Sequence, residues 1–335
     1  MTPPAGHPAI PPRRIGVLLV NLGTPDAADA GAVKRYLAEF LSDRRVVEIP
    51  PILWQPILRG IILNTRPKKS AHAYAQVWRE DGSPLAAITR AQATALRGVF
   101  GPGVMVDWAM RYGNPAIAGR LAALKEAGCD RILIAPLYPQ YCAATTATAN
   151  DRAFAALADM RWQPAIRTLP PYHDDPAYIA ALKDSVEASL AALDFAPEAI
   201  VASFHGMPQR TLELGDPYHC QCRKTVRLLG EALGRELIVA FQSRFGRAKW
   251  LEPATDRTLE ALPGKGVKKV AIVSPGFSAD CLETLEELDI RGRESFMAAG
   301  GTDFAYLPCL NDSDVGVKML RILLQRELEG WNLPA

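Results

Sequence analysis

Short runs of β-branched and leucine-rich residues alternate along the chain with longer segments that mix alanine and leucine with charged residues. The short runs predict strands at 15–20, 104–108, 131–135, 199–203, 237–241, 269–274 and 304–307. The longer segments place apolar residues at helical spacing and predict helices at 31–41, 85–99, 116–127, 147–160, 176–193, 223–233, 282–298 and 315–329. Near-continuous apolar strands separated by helices belong to parallel sheets covered on both faces. The fold class that follows is α/β, doubly wound.

The pattern also repeats itself. Ile132-Leu133-Ile134-Ala135-Pro136 is followed by Cys142 and Thr145, and Ala271-Ile272-Val273-Ser274-Pro275 is followed at the same spacings by Cys281 and Thr284. Arg111-Tyr112-Gly113 matches Arg244-Phe245-Gly246, and Leu22-Gly23-Thr24-Pro25 matches His205-Gly206-Met207-Pro208. The matches keep their order but not their spacers, so this is a pair of similar halves and not a repeat array. A chain of 335 residues accommodates two domains of ordinary size. The expected division is a first lobe at 1–170, a second at 171–311, and a last segment, 312–335, returning to the first. Open sheets bind ligands at the carboxyl ends of their strands, so two such lobes face each other across a cleft.

Composition narrows the function. Hydrophobic residues are 49% and charged residues 22%, as in ordinary globular proteins. A net charge of +2 gives no electrostatic case for nucleic acid. No apolar run reaches the length of a bilayer span and no secretory leader is visible, so a cytoplasmic protein is expected. Six cysteines over this length read as free thiols and not as a disulfide framework. There is no phosphate-binding loop or dinucleotide fingerprint, so no nucleotide is expected as substrate or cofactor. That absence also counts against a sugar-nucleotide transferase.

Three places carry candidate chemistry. His205 sits on a Gly/Pro turn after a strand, where an imidazole can exchange a proton or bind a metal. In the acidic run 280–289, Asp280 and Glu283 have the spacing of a capping box, which would account for Glu283 structurally. That reading leaves Glu287 unexplained one helical turn further on, since stacked like charges are mildly unfavourable. A solvated acidic face and a column of carboxylates handling protons or cations both remain open. The apolar stretch 49–63 is broken by prolines and followed by Arg66, Lys68 and Lys69. It reads either as a hydrophobic lip at a membrane surface or apolar ligand, or as a buried loop with a short helix. The pair Cys220 and Cys222 lacks the further ligands that a zinc site or cluster needs.

Taken together, Val20–Pro25, Arg111–Gly113, Leu137–Tyr141, Ser203–Pro208, Gly215–Tyr218, Phe241–Arg244 with Trp250, and Ser274–Glu287 resemble the ferrochelatases. The resemblance covers about residues 14–325, with the motifs in the family's order. It implies two Rossmann-like lobes and insertion of Fe2+ into protoporphyrin IX, with coproporphyrin III or a cobalt chelatase of the same fold as alternatives. A non-catalytic porphyrin carrier is the alternative of a different class. By resemblance His205 is the active-site histidine, Glu283 its partner across the macrocycle, and Glu287 the continuation of an acidic path. His205 and Glu283 are also the implied metal ligands. Asn21, Leu22, Ser83, Arg111, Tyr112, Tyr138, Trp250 and Phe277 fall on positions that line the porphyrin pocket, and Arg111 and the basic cluster at 66–69 are candidates for its propionates. Stretch 49–63 matches a mobile lip tied to peripheral contact with the inner face of the membrane or with the preceding pathway enzyme. Cys281 stands where many members have histidine. No organic cofactor and no [2Fe-2S] cluster are expected, and Fe2+ enters as substrate.

Overall fold

The computed structural model describes residues 6–7, 13–246 and 248–331. Among the described residues, eight strands form two four-stranded sheets. The first contains β1 (Arg14–Thr24), β2 (Val104–Gly113), β3 (Cys129–Pro136) and β4 (Ala165–Thr168). The second contains β5 (Ala199–His205), β6 (Ile238–Gln242), β7 (Lys269–Val273) and β8 (Asp303–Leu307). The strand orders are β2-β1-β3-β4 and β6-β5-β7-β8, the same order in each half, and every pairing between them is parallel. The α/β expectation holds.

The central strands explain themselves. Val17, Leu18, Leu19 and Val20 are all fully buried, so β1 is covered on both faces, as an unbroken apolar run requires. Val201, Ala202 and Phe204 do the same for β5. Helices start where polar caps allow. Asp29 accepts from the N–H groups of Gly31 and Ala32 to open Ala30–Ser42, and Asp175 caps Pro176–Ala191 with proline in its first turn. In the last helix, Asp314–Leu328, Met319, Leu320, Leu323 and Leu324 share a core with Ile15, Val17 and Leu19 of β1 and with Tyr178 and Leu182 of Pro176–Ala191. Arg167 of β4 donates to the Glu327 and Glu329 carbonyls at that helix's C-terminal end and stacks on Trp331.

The sequence pattern misses some elements. β4 is a four-residue edge strand, partly exposed and built from Ala165-Ile166-Arg167-Thr168, too short and polar to announce itself. Stretch 49–63 is helical throughout its middle (Pro51–Ile57, then a π-wound turn Leu58–Ile62) and runs into a further helix, Leu63–Val77. Pro56 and Pro67 lie inside these helices. The π-wound turn between them already interrupts the hydrogen-bond register, so missing N–H groups cost less there. Ile52 is 83% exposed and Leu53 61%, with Ile57 and Ile61 also exposed, so the buried-loop alternative is corrected. Leu58, Leu63 and Trp54 anchor the stretch against Leu41, and the Trp54 indole donates to the Leu41 carbonyl at 2.6 Å. Among the described residues, no helix is long and apolar enough to cross a membrane.

One half-buried network joins three elements of the first half. Asp43, just past Ala30–Ser42, accepts from Arg111 at 2.5 Å and Tyr112 at 2.8 Å on β2, and from Thr148 at the start of Thr148–Ala158. Arg111 also donates to Thr148 and lies over the Tyr112 ring. Burial works to raise the Asp43 pKa. Hydrogen bonds from Thr148, the Arg45 N–H and Tyr112, with the charge of Arg111, outweigh it and hold the carboxyl below its ordinary range. A folded-state pKa below the unfolded one stabilises fully above the unfolded value of about 3.8 and is lost as pH falls through the folded one. Asp43→Asn is therefore predicted to cost about 3 kcal/mol at neutral pH. In urea titrations the gap from the wild type should close on going below about pH 4. A gap that stays constant into acid would contradict this account of Asp43.

Candidate active site

Matched sequence segments fall on matched strand ends. Leu22 and His205 lie at the ends of β1 and β5, Arg111 near the end of β2 and Arg244 just past β6, Pro136 at the end of β3 and Pro275 just past β7. The following turns are alike as well. Cys142 and Cys281 each take the N-cap position in extended backbone, and Thr145 and Thr284 each return a hydroxyl to the cap carbonyl, at 3.3 and 3.2 Å. Both turns lead into π-wound segments, Ala143–Ala147 and Leu285–Gly292. The carboxyl ends of the two sheets touch. Ser278 donates to the Leu137 carbonyl, and Gln140 and Tyr178 both donate to the Pro275 carbonyl.

His205 is the last residue of β5 and is half-buried. Its Nδ1 lies 2.7 Å from the Gly206 carbonyl. A carbonyl only accepts, so Nδ1 carries the hydrogen and the neutral ring keeps its lone pair on Nε2. The turn leaves no slack: a Cβ on Gly206 would sit 2.4 Å from the Gln242 carbonyl oxygen and against Trp250. Trp250 pairs with Pro208 across this turn and is itself buried, its indole N–H on the Phe245 carbonyl. Gln242, the β6 partner of His205, takes a hydrogen bond from Ser203 and donates at 2.7 Å to the Glu283 carbonyl. The histidine and the glutamate segments are thus joined through one side chain.

The acidic run differs from its sequence reading in two respects. The predicted helix 282–298 is a short α turn (Leu282–Thr284), a π-wound middle (Leu285–Gly292) and a final α segment (Arg293–Ala298). The predicted capping box of Asp280 with Glu283 is replaced by Cys281 with Thr284, whose hydroxyl accepts from the Cys281 N–H at 2.9 Å. Asp280 is drawn away. It is buried, accepts from Tyr306 at 2.5 Å, Asn311 at 2.6 Å and Thr284 at 3.0 Å, and its own N–H meets Asn311. The Glu283 carboxylate is left out of the helix cap. It lies in electrostatic reach of Tyr36 and Tyr74 from the first half. Burial, then neighbouring groups including Glu283, push both phenols well above their ordinary range, so they stay protonated. Burial and then the Glu283 charge do the same to the Cys281 thiol. Sequence reasoning missed Tyr36 and Tyr74 because both sit at apolar positions of helices and look like core.

Glu287 is occupied. Its two oxygens take the N–H of Ser243, at 2.7 Å, and the Ser243 hydroxyl. Ser243 has a φ of +61°, which a serine rarely adopts, and this clasp holds it there. The loop it opens brings Phe245 against Trp250 and under Arg66 of Leu63–Val77, 5.3 Å from the ring centre, a contact between the two halves.

The remaining predicted positions divide. Phe277 packs with Leu85, Ile88, Met110 and Cys281 between the halves. Asn21 is buried, bonded to Thr89 and to the Leu22 N–H, which places Leu22 beside it. Ser83 is buried at the cap of Pro84–Leu96. Tyr138 is half-buried, and its hydroxyl has no partner among the described residues. Tyr112 is fully buried, and Arg111, expected near acidic substituents of a ligand, is engaged with Asp43. All six cysteines are free, and Cys220 is exposed whereas Cys222 is buried. Among the described residues, no three His, Cys, Asp or Glu side chains gather as a metal site.

Comparison with known proteins agrees with this architecture. The chain is 58% identical over 332 residues to the ferrochelatase of Rhizobium meliloti, covering 97% of this chain and 98% of the relative. It is 54% identical over 337 residues to the ferrochelatase of Agrobacterium fabrum, covering 98% and 97%. In fold alone it is similar to SirB from Bacillus subtilis with Fe3+, at a TM-score of 0.54 and 13% identity, covering 96% of this chain and 100% of that one. The cobalt complex of the sirohydrochlorin chelatase SirB from Bacillus subtilis subspecies spizizenii gives a TM-score of 0.55 at 12% identity, covering 96% and 98%. The ferrochelatase family model matches residues 14–328. With the family spanning both sheets and relatives of this identity matched end to end, the chain belongs to the ferrochelatase family.

Proposed function

We propose that His205 and Glu283 work on opposite faces of a porphyrin seated between the two halves, and that Fe2+ is delivered to it there. The observation that carries the reading is that neither group is used up in building the fold. The His205 ring is secured through Nδ1 with Nε2 unclaimed among the described residues, and the Glu283 helix is capped by other residues, its carboxylate meeting only the Cys281 thiol among the described residues. The porphyrin gives up two pyrrole N–H protons, four Fe–N bonds form, and iron stays ferrous. The macrocycle supplies four ligands, so one or two protein groups suffice to guide the ion, and no dense cluster is needed. Nε2 of His205 accepts the pyrrole protons one at a time, releasing the first to solvent before it takes the second, and Glu283 handles iron or protons on the other face. Glu287 joins that path only by giving up Ser243. Trp250, Phe277 and Leu22 form the walls with Tyr138, while Asn21 and Ser83 set the rim.

The lobes we assign are 1–170 and 171–311, with 312–335 returning to the first. We assign protoporphyrin IX as substrate because the exposed Ile52, Leu53, Ile57 and Ile61 favour an apolar macrocycle. The same side chains, with Arg59, Arg66, Lys68 and Lys69 nearby, suit peripheral contact of a cytoplasmic enzyme with an anionic membrane surface.

His205→Ala should lower iron insertion by about a hundredfold or more while porphyrin still binds. Anaerobic turnover with protoporphyrin IX and Fe2+, followed in the visible spectrum, measures the first, and quenching of porphyrin fluorescence the second. Turnover close to that of the wild type would remove His205 from the chemistry. For the lip, Ile52→Glu combined with Leu53→Glu should abolish cosedimentation with vesicles of anionic phospholipid and leave turnover of detergent-dispersed porphyrin intact. Undiminished cosedimentation would refute the membrane role.

A further inference from the structure

We infer that Gln92 is a positioning residue for Glu283, acting across the seam between the halves. The inference rests on the proposed role of Glu283. Gln92 lies on Pro84–Leu96, in the first half, and is 1% exposed. Its amide nitrogen donates to two carbonyls of the second half, Asn311 at 2.8 Å and Ser278 at 3.2 Å. Its amide oxygen has no partner among the described residues. A buried amide with an idle oxygen is a burden on stability that an apolar side chain would avoid. What the glutamine adds is the pair of donors.

The chain of contacts continues from there. Asn311 holds a φ of +51°, and its side chain grips Asp280 from both directions, Nδ2 to Oδ2 at 2.6 Å and Asp280 N to Oδ1 at 2.8 Å. Asp280 in turn accepts from the Thr284 hydroxyl, which accepts from the Cys281 N–H. Glu283 follows Leu282 in the short segment between Cys281 and Thr284, so the capping pair fixes the backbone on both sides of it. Helix Leu63–Val77 of the first half packs on the Leu282–Thr284 turn. A second-half carboxylate placed beside first-half elements requires that the two halves share a fixed register. The Gln92 bridge ties that register directly to the Asp280 cluster, from the same helix whose Thr89 secures Asn21. Small displacements at a reacting group are costly in rate even when the change is remote.

The test is a series of steady-state measurements with protoporphyrin IX and Fe2+. Gln92→Met keeps the side chain's length and removes its donors. Asn311→Gly keeps the left-handed backbone and the carbonyl that Gln92 meets, and removes the link to Asp280. Each should lower kcat by about tenfold with the KM for porphyrin nearly unchanged. The double variant should be no slower than the slower single one, as members of one chain require. Wild-type kcat in both single variants, a raised porphyrin KM alone, or additive losses would each overturn the proposal. Should Gln92→Met fail to fold, Asn311→Gly decides on kcat and KM. Glu283→Gln runs in parallel. If it turns over normally, the reading of Glu283 itself fails. If it is impaired while the other two are normal, only the Gln92 inference falls.

Discussion

A buried helix start must find partners for its first N–H groups, and the way this is done in the second half governs what the site can offer. The Leu282 turn is enclosed, so water cannot meet these groups freely. Thr284 meets the cap N–H, Cys281 meets the turn, and Asp280, buried without a cation, is kept satisfied by Tyr306, Asn311 and Thr284. The demand is met without the nearest available carboxylate. Glu283 is consequently left out of the cap.

The two halves share a topology but not a chemistry. Where the second half has His205, Glu283 and Glu287, the matched positions of the first are Leu22, Ala144 and Thr148. Thr148 and Glu287 do comparable structural work at the same place. Thr148 ties its segment to Arg111 past the middle of β2, and Glu287 ties its own to Ser243 just past β6. The three acid–base candidates all belong to the second half, and the first contributes the exposed stretch 49–63 and the Asp43 network.

Much of the architecture was legible in the strands. A run like Val17–Val20 has no polar residue with which to face water, and this alone specifies a covered parallel sheet. The repeated Pro–Cys–Thr spacing was legible too, and the structure gives it matched turns. What escaped were features set by residues distant in sequence. Asp280 looked like a cap because Glu283 follows it at cap spacing, and Tyr306 and Asn311, which claim it, are more than twenty residues away. Arg111 looked free for an anionic ligand because Asp43 lies on another element. The 49–63 stretch looked broken because proline is a poor helix residue locally, whereas π winding and anchoring by Trp54 and Leu58 accommodate it. His205 and Glu283 themselves could be singled out by their motifs, but not the use of Nδ1 or the exclusion of Glu283 from the cap.

The stacking of Arg66 on Phe245 has a kinetic side. An exposed cation–π contact is worth about 0.5–1 kcal/mol, equivalent to a population ratio of only a few to one. Thermal motion parts the two side chains readily, so the tie they make between Leu63–Val77 and the loop after β6 can break and re-form without disturbing the core of either half.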